Sequence, residues 1–539
     1  MARHMSENAR RTSSPGQADG ARRWVRVLVS LVAGSALVLA CCLVPTLGAS
    51  NIDDWVISLI LSGRYPVTSP CLFVNPLVSY LAIGLGTLLP QVNCFILVER
   101  VVAALCLAST IYLVMRTPRR LPAVAVLLMQ VGLLLPGCTY HSNFTFVSAM
   151  ALTAGMIQLL YCMIEVCDGT RRAASPGTCV GAVLVATGCA FRYETFLMAI
   201  PFLVLAALWL LAYRGRAFAW KSLVPLAIAF AACGVVFGVH AAVMTLDPGM
   251  HDWDSYNTAR SNVQDWPPAN YEENKDELGQ LGISPTDYAV TMAGMSGIDH
   301  EHFTRDAFVG IREATQDSLW SEPPSVLRET AIRYFAEMPT RVAGLRRTLL
   351  LLFLVAALRA RGKDWVFSAV AAAGGVTIAL YFYAMGRLPD RVEVSVYVFA
   401  ATVVLAMCQL DPPDAQGRLT RARGIAGIAT VVALGLVVCL PVAKSLRSAS
   451  LQTAETFNSS EDERPHTAFW DYEAQHEDQT FIVPMNDYHY LLFGNYPITK
   501  FPTRDMLANN LAYGGWWEGS PAWLGVGQAH GVDANNIAR

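Results

Sequence analysis

The feature that most constrains this 539-residue chain is a series of apolar runs, many of them long enough to cross a lipid bilayer. About 20 consecutive apolar residues in a helix span a hydrocarbon core of about 30 Å. The composition agrees, because 54% of the residues are hydrophobic and only 15% are charged, against about 25% charged in soluble domains. The sequence therefore predicts an all-α polytopic membrane protein.

The positive-inside rule fixes the predicted topology. An apolar segment between Pro76 and Pro90 is too short to cross, and we expect it to lie along the membrane surface. Basic loops such as that of Arg116, Arg119 and Arg120 then share one side. The N-terminus is therefore expected in the cytoplasm and the C-terminus outside the plasma membrane. The eleven predicted spans are 27–48, 94–116, 121–138, 143–165, 178–191, 194–213, 223–246, 342–358, 365–385, 391–409 and 424–443.

The polar segments divide the chain further. The N-terminal tail is rich in Arg and Ser, which predicts disorder. In the C-terminal region, apolar runs at 480–484 and 490–493 predict short strands within a small exoplasmic α+β region. The predicted divisions are a cytoplasmic tail at 1–26, a transmembrane domain at 27–443 with exoplasmic loops at 48–93 and 247–340, and an exoplasmic region at 444–539.

Asp53 and Asp54 are the most informative residues for function. They follow the first predicted span and precede an apolar segment at 55–61. Carboxylates beside hydrocarbon lose hydration, which disfavours their charged form, so unpaired acids are rare there. The pair either serves a reaction on a lipid-borne substrate or caps the helix starting at Trp55, where the helix dipole favours acids. One acid is able to do both.

Arginines at the predicted outer boundary are candidate ligands for a lipid phosphate. Arg341, Arg346 and Arg347 stand at the start of the eighth span, where the alternative is snorkelling to ordinary head groups. Arg387 and Arg391 frame a tight outer turn, where the alternative is a salt bridge to Asp390 or Glu393. Both groups are therefore candidate phosphate-binding residues with a structural alternative.

Two further candidates lie in short outer turns. Arg192 is a candidate ligand for the same phosphate, and an internal pair with Glu194 is the alternative. His141 is a candidate ligand for sugar or metal, although a lone histidine in a turn usually has no such role.

The organisation resembles that of the GT-C glycosyltransferases, integral-membrane enzymes that use polyprenyl-phosphate-linked sugars. Helix one is followed by an outer loop that opens with a carboxylate pair, here Asp53-Asp54. That loop continues through two surface helices, here near 54–62 and 77–89, and a second long outer loop follows at 247–340. The resemblance covers residues 27 to about 443, and within it only the acidic pair is a sequence motif.

The resemblance implies a reaction and its participants. Asp53 or Asp54 would be the general base that deprotonates an acceptor hydroxyl as it attacks the anomeric carbon with inversion. The donor would be a polyprenyl-phosphate-linked sugar held through outer-boundary arginines, and the acceptor a cell-envelope glycan or a lipid-linked molecule. Some members need a divalent cation, so Asp53 and Asp54 are also candidate ligands for Mg²⁺ or Mn²⁺.

Two other functions remain open from the sequence. A transporter or flippase of lipid-linked saccharides predicts charges deep in facing helices and inverted repeats. Apart from Glu99 and Arg100 the centres of the predicted helices are nearly uncharged, and no repeat is visible. A non-catalytic subunit of envelope assembly is the second alternative.

Membrane lipids are expected partners. No P-loop, GxGxxG or nucleic-acid signature is present in the sequence, so neither a nucleotide-sugar donor nor nucleic acid is expected.

Overall fold

A computed structural model gives a mostly helical protein. The structure describes most of the first two thirds of the chain and shorter stretches of the last third. The described residues are 15–42, 52–63, 65–117, 120–139, 142–214, 220–315, 324–341, 363–407, 435, 469, 471–473, 475–476, 478–484 and 510–534.

The helices follow the apolar runs and the polar loop helices. In chain order they are α1 (Pro15–Cys42), α2 (Ile52–Ile60), α3 (Pro76–Leu88), α4 (Cys94–Arg116), α5 (Leu121–Met129), α6 (Leu135–Thr139), α7 (Phe144–Cys167), α8 (Pro176–Phe191), α9 (Tyr193–Arg214), α10 (Val224–Leu246), α11 (Pro248–Gln264), α12 (Lys275–Gln280), α13 (Pro285–Met292), α14 (Arg305–Thr315), α15 (Pro324–Arg341), α16 (Lys363–Ala384), α17 (Asp390–Met407) and α18 (Pro521–Ala529). A π-helical turn joins α5 to α6, and short 3₁₀ helices are present at Trp220–Leu223 and Ser296–Ile298.

Two short strands accompany the helices in the described part of the chain. The first, β1 (Phe481–Pro484), lies in one of the two segments predicted as strands. It pairs in parallel with β2 (Asn510–Tyr513), and Phe481 is opposite Asn510. The other predicted strand, 490–493, lies outside the described residues.

Seven helices in the described part of the chain are long and apolar enough to cross a membrane. Of the other predicted spans, 178–191 is represented by the 16-residue α8, and 391–409 by the 18-residue α17, whose first turn is acidic. The spans 342–358 and 424–443 lie outside the described residues. The seven are Arg22–Cys42, Cys94–Arg116, Leu121–Thr139, Phe144–Cys167, Tyr193–Ala212, Trp220–Leu246 and Asp364–Ala384.

The first helix begins earlier than the sequence predicts. It starts at Pro15, so it extends into the segment 15–26 for which the sequence predicts disorder. Proline is favoured in the first helical turn because its fixed φ suits a helix and its missing N–H leaves no donor unsatisfied. The Ala and Arg residues that follow are good helix formers, which favours continuation into the apolar run.

Helix α7 is the centre of the apolar bundle. Its side chains are buried along nearly the whole helix, and it packs closely on α8. A Cβ on Gly155 would lie 2.9 Å from the carbonyl oxygen of Gly181, and one on Gly188 would lie 2.9 Å from that of Ser148. Small residues therefore bring the two backbones together, as they do where helices associate in lipid.

The segment after Asp53 and Asp54 is packed inside the protein. In α2, the side chains of Trp55, Ile57 and Ile60 are at most 1% exposed. The apolar run that the sequence places at a membrane surface is thus covered by neighbouring helices, and it fixes the direction of the two acids ahead of it.

The polar helices α11 to α14 form a second core, centred on Phe308 and Ile311. The C-terminal segment 510–534 packs against α11, and the indole N–H of Trp253 donates to the carbonyl oxygen of Trp516 at 3.0 Å. This contact brings residues from the end of the chain to the end of the bundle where Asp53 lies.

Candidate active site

The two adjacent acids point in different directions because they are successive residues in the first turn of α2. Asp53 lines a large cavity, and its side chain is 25% exposed. Asp54 points into the protein and is 1% exposed. Although Asp53 and Asp54 are adjacent in the sequence, one side chain borders the cavity and the other lies in the protein interior.

Asp54 is held by the start of α7. The backbone N–H of Phe144 donates to Asp54 Oδ1 at 2.8 Å, and the Asp54 carboxyl group also interacts with Glu99 of α4. The hydroxyl of Ser142 donates to Glu99 Oε2 at 3.2 Å. Burial, together with the nearby Glu99 carboxyl, raises the pKa of Asp54 well above its usual range. Asp54 thus has the contacts of a structural group that joins α2 to α7.

The cavity beside Asp53 has a volume of about 960 Å³. It lies at the end of the bundle where α7, α9 and α17 begin. Its lining contains five arginines, two aspartates besides Asp53, and an aromatic wall. The arginines are Arg192, Arg260, Arg333, Arg387 and Arg391; the acids are Asp265 and Asp390; and the aromatic residues are Phe73, Phe144, Tyr383 and Trp516.

Arg391 is a cation of the described part of the chain that contacts Asp53. It stands in the first turn of α17, and its Nη2 lies 3.7 Å from Asp53 Oδ2. Its Nε is buried without a hydrogen-bond partner among the described residues. The Arg391 side chain as a whole is 31% exposed and lines the cavity, and a guanidinium in such a position is able to bind an anionic ligand.

Arg192 borders the same cavity between α8 and α9. Its Nη1 donates to the hydroxyl of Thr145 at 2.7 Å, and its guanidinium stacks over the ring of Phe144 with 5.0 Å between Cζ and the ring centroid. Its Nε lies 3.6 Å from Glu194 Oε2, so the internal pair that the sequence offers as an alternative is present. The pair does not remove Arg192 from the cavity lining.

Arg387 is presented by a turn that requires glycine. Gly386 has a φ of +69°, a conformation that L side chains rarely adopt. Arg387 Nη2 donates to Asp265 Oδ2 at 2.8 Å, and its guanidinium lies over the ring of Trp266 at 5.4 Å. Its acidic partner therefore comes from the loop after α11.

Arg260 is the most deeply buried of the cavity arginines, at 4% exposure. Its Nη2 donates to Asn257 Oδ1 at 2.8 Å, and its Nη1 donates to Gln264 Oε1 at 2.7 Å. Asp265 Oδ1 lies 3.7 Å from Nη1, so Asp265 is close to both Arg260 and Arg387. One carboxylate thus holds two guanidinium groups in place at the cavity wall.

Trp516 closes the cavity from the C-terminal segment. Its indole N–H donates to Asp53 Oδ1 at 3.2 Å. Its ring meets Phe73 edge to face at 4.6 Å and stacks on Trp253 at 6.2 Å. The two glycines before it, Gly514 and Gly515, have positive φ angles.

The structure brings together four of the residues that the sequence singles out: Asp53, Arg192, Arg387 and Arg391. Arg341 is the last residue of α15, and its side chain is outside the description. His141, Arg346 and Arg347 also lie outside the described residues.

Other cavity residues are absent from the sequence-based candidates. Arg260, Asp265 and Arg333 belong to polar loop helices or their ends, where charged residues are usual and carry no signal of their own. Trp516 lies 463 residues from the acid that it contacts, so no local pattern links the two.

The two acids do not fit a divalent cation that both would bind. Asp54 accepts the Phe144 N–H and faces Glu99, whereas Asp53 faces Arg391 and Trp516. No group of three or more His, Cys, Asp or Glu side chains is arranged to hold a metal among the residues that the structure describes. A cation requires several oxygen ligands around one point, and this pair supplies at most one of them.

Comparison with known proteins finds no matching family model, no similar curated protein and no similar solved structure.

Proposed function

We propose that this protein is an integral-membrane glycosyltransferase of GT-C type, which transfers a sugar from a polyprenyl-phosphate carrier to a cell-envelope glycan or a lipid-linked acceptor. One observation carries the proposal: Asp53 and five arginines line the same cavity at one end of an apolar helical bundle. A carboxylate beside several cations suits a reaction in which a hydroxyl loses its proton and a phosphate departs.

In this proposal Asp53 acts as the general base. An acceptor hydroxyl placed in the cavity gives its proton to a carboxylate oxygen of Asp53 as its own oxygen attacks the anomeric carbon. The new bond joins the acceptor oxygen to the sugar, and the bond from the sugar to the carrier phosphate breaks. The bonding pair leaves with the phosphate. A positioned base of this kind contributes about 10²–10⁴-fold to the rate.

The arginines of the cavity stabilise the leaving group in this proposal. Negative charge accumulates on the carrier phosphate as the sugar departs, and guanidinium groups stabilise that charge through charge-assisted hydrogen bonds. Arg391 is near the base, and Arg387 lines the same cavity on the turn of Gly386. The carrier phosphate would lie between these two positions, with the sugar directed toward Asp53.

The proposal gives the base role to Asp53 rather than to Asp54. A base must reach the proton that it removes, and Asp53 lines the cavity. Asp54 is 1% exposed and accepts the backbone N–H at the start of α7, which is a different helix from the one at Trp55 that the sequence offers as the alternative. No step is given to a metal ion.

The location follows from the chemistry of the carrier. A polyprenyl phosphate keeps its tail in the bilayer, so its phosphate is presented at a membrane boundary. The positive-inside distribution of basic loops places this end of the bundle at the outer face in the proposed eleven-span topology.

The test is sugar transfer by single variants. Membranes containing the full-length protein are supplied with radiolabelled polyprenyl-phosphate sugars, and release of label from the carrier into product is followed. Asp53→Asn is expected to lower the rate by about 100-fold or more, because the amide cannot accept a proton. Asp54→Asn is expected to retain transfer, because an amide oxygen still accepts the Phe144 N–H.

Asp306→Asn is the matched control, since Asp306 is an exposed acid of α14 that does not line the cavity. All variants must be present in the membrane in equal amounts. Undiminished transfer by Asp53→Asn would rule out the proposed base. Movement of an intact lipid-linked saccharide across the bilayer, without any transfer, would instead favour the flippase.

A further inference from the structure

A second cavity lies at the opposite end of the bundle from Asp53. It is a groove of about 490 Å³ between α1, α4 and α8. Glu99, near the start of α4, contacts Asp54, whereas Arg116 ends α4 and lines this groove. The end of the groove at Arg116 and the Asp54 contact at Glu99 therefore lie toward opposite ends of α4.

The groove wall is apolar on the sides that face outward from the bundle. Val183 is 62% exposed, Leu105 is 48% exposed and Leu31 is 40% exposed. In a bilayer these side chains meet hydrocarbon, so the groove is open to a lipid chain from the side. Its volume falls within the range of about 300–1,000 Å³ that is usual for ligand sites.

One end of the groove is cationic. Arg23, Arg116 and Arg171 line it, and no carboxylate does so among the described residues. Behind the lining, Glu165 binds Arg116 Nη2 and holds Arg171 Nη1 at 2.7 Å. One glutamate thus orients two arginines but neutralises only one charge, and Arg23 adds a third cation that is exposed.

We propose that this groove binds an anionic phospholipid, whose acyl chain lies along α1, α4 and α8 and whose phosphate contacts Arg23, Arg116 and Arg171. The apolar wall matches the chain, and the arginines match the phosphate in charge and geometry. A neutral lipid would leave excess positive charge unmatched, and a polar peptide would bury its backbone against apolar side chains. This site is independent of the proposed glycosyl transfer, which takes place at the other end.

Native mass spectrometry of the full-length protein in detergent tests the proposal. The protein is titrated with phosphatidylglycerol and with phosphatidylcholine carrying the same acyl chains. Phosphatidylglycerol is expected to be retained more tightly. Arg23→Ala is expected to weaken its binding about fivefold, the contribution of one basic residue near an anionic head group. Val183→Trp is expected to reduce binding with all charges kept, because the indole fills the groove.

Two variants serve as matched controls. Arg172→Ala removes an exposed arginine beside Arg171 that does not line the groove, and Val235→Trp enlarges an exposed residue of α10 away from it. Both should bind phosphatidylglycerol like the unmodified protein. Equal binding of the two lipids, an Arg23→Ala affinity equal to that of Arg172→Ala, or full competition by inorganic phosphate would overturn the proposal. The proposal would also be overturned if the lipid-free protein formed a dimer and Val183→Trp dissociated it. That result would show that a second copy of the chain fills the groove.

Discussion

The indole N–H of Trp516 donates to Asp53 Oδ1 at 3.2 Å, which joins the C-terminal segment to the acid at the start of α2. Asp53 Oδ2 faces Arg391 at 3.7 Å, so each carboxylate oxygen has a different neighbour. These two contacts hold the carboxylate at the cavity wall. They also make the C-terminal segment part of the candidate active site rather than an appendage to it.

Trp516→Phe tests whether this contact positions the proposed base. The variant keeps an aromatic ring against Phe73 but removes the N–H, and we expect kcat for sugar transfer to fall about tenfold with KM little changed. Trp517→Phe is the control, because the Trp517 indole N–H has no hydrogen-bond partner among the described residues. Equal activities of the two variants would show that the N–H is dispensable. The measurement is initial rate against donor concentration.

Arg387→Lys tests the phosphate-binding role of the turn after α16. Lysine keeps the charge but loses the planar group that stacks on Trp266 and contacts Asp265, so the donor KM should rise about three- to tenfold. Arg312→Lys provides the comparison, since Arg312 also stacks on Trp266, at 5.6 Å, without lining the cavity. A rise in KM for both variants would point to loss of Trp266 packing instead.

Asp54→Ala separates structure from chemistry at the adjacent position. The substitution leaves the Phe144 N–H without its acceptor in a buried site, which costs about 1–3 kcal/mol of folding free energy. Asp54→Asn keeps an acceptor and should be close to the unmodified protein in thermal stability. Tm in detergent distinguishes the two variants. A Tm for Asp54→Ala equal to that for Asp54→Asn would contradict the structural role.

Glu518 makes stability depend on pH. Burial raises its pKa from 4.5 to about 8, and its side chain is 1% exposed. The folded protein keeps this proton at pH values where the unfolded chain has lost it, so stability falls as pH rises from about 4.5 to 8. Between pH 6.5 and 8 the loss amounts to about 2 kcal/mol.

Glu518→Gln should remove that loss, because the amide is neutral at every pH and its oxygen still accepts the Gly514 N–H. Thermal unfolding between pH 6.5 and 9 measures the difference between the two proteins. Burial lowers the pKa of His300 from 6.5 to about 4, so His300 also titrates in the unfolded chain near pH 6.5, but both proteins contain it and its contribution cancels in their difference. Parallel pH profiles for the two proteins would show that Glu518 titrates normally.

The helical class was predictable because apolar length is a local property. The described part of the chain contains seven helices of bilayer-spanning length, and each begins or ends near a bound that the runs indicate. The predicted total of eleven is not reached there, partly because α8 is short and α17 begins with charged residues. Composition did not reveal that helix α1 begins at Pro15, because a polar sequence is compatible both with an exposed helical turn and with disorder.

By itself, the sequence determined the apolar helical class and drew attention to Asp53, Arg192, Arg387 and Arg391, because charges beside apolar runs are conspicuous. The folded arrangement was needed to show that these four share one cavity, that Asp53 lines it while Asp54 is buried, and that Arg260, Asp265 and Trp516 complete it. The physical reason is that helix phase turns adjacent residues apart, and packing joins residues distant in the chain. Neither the direction of each side chain nor the contacts between distant residues can be read from the local pattern of residues.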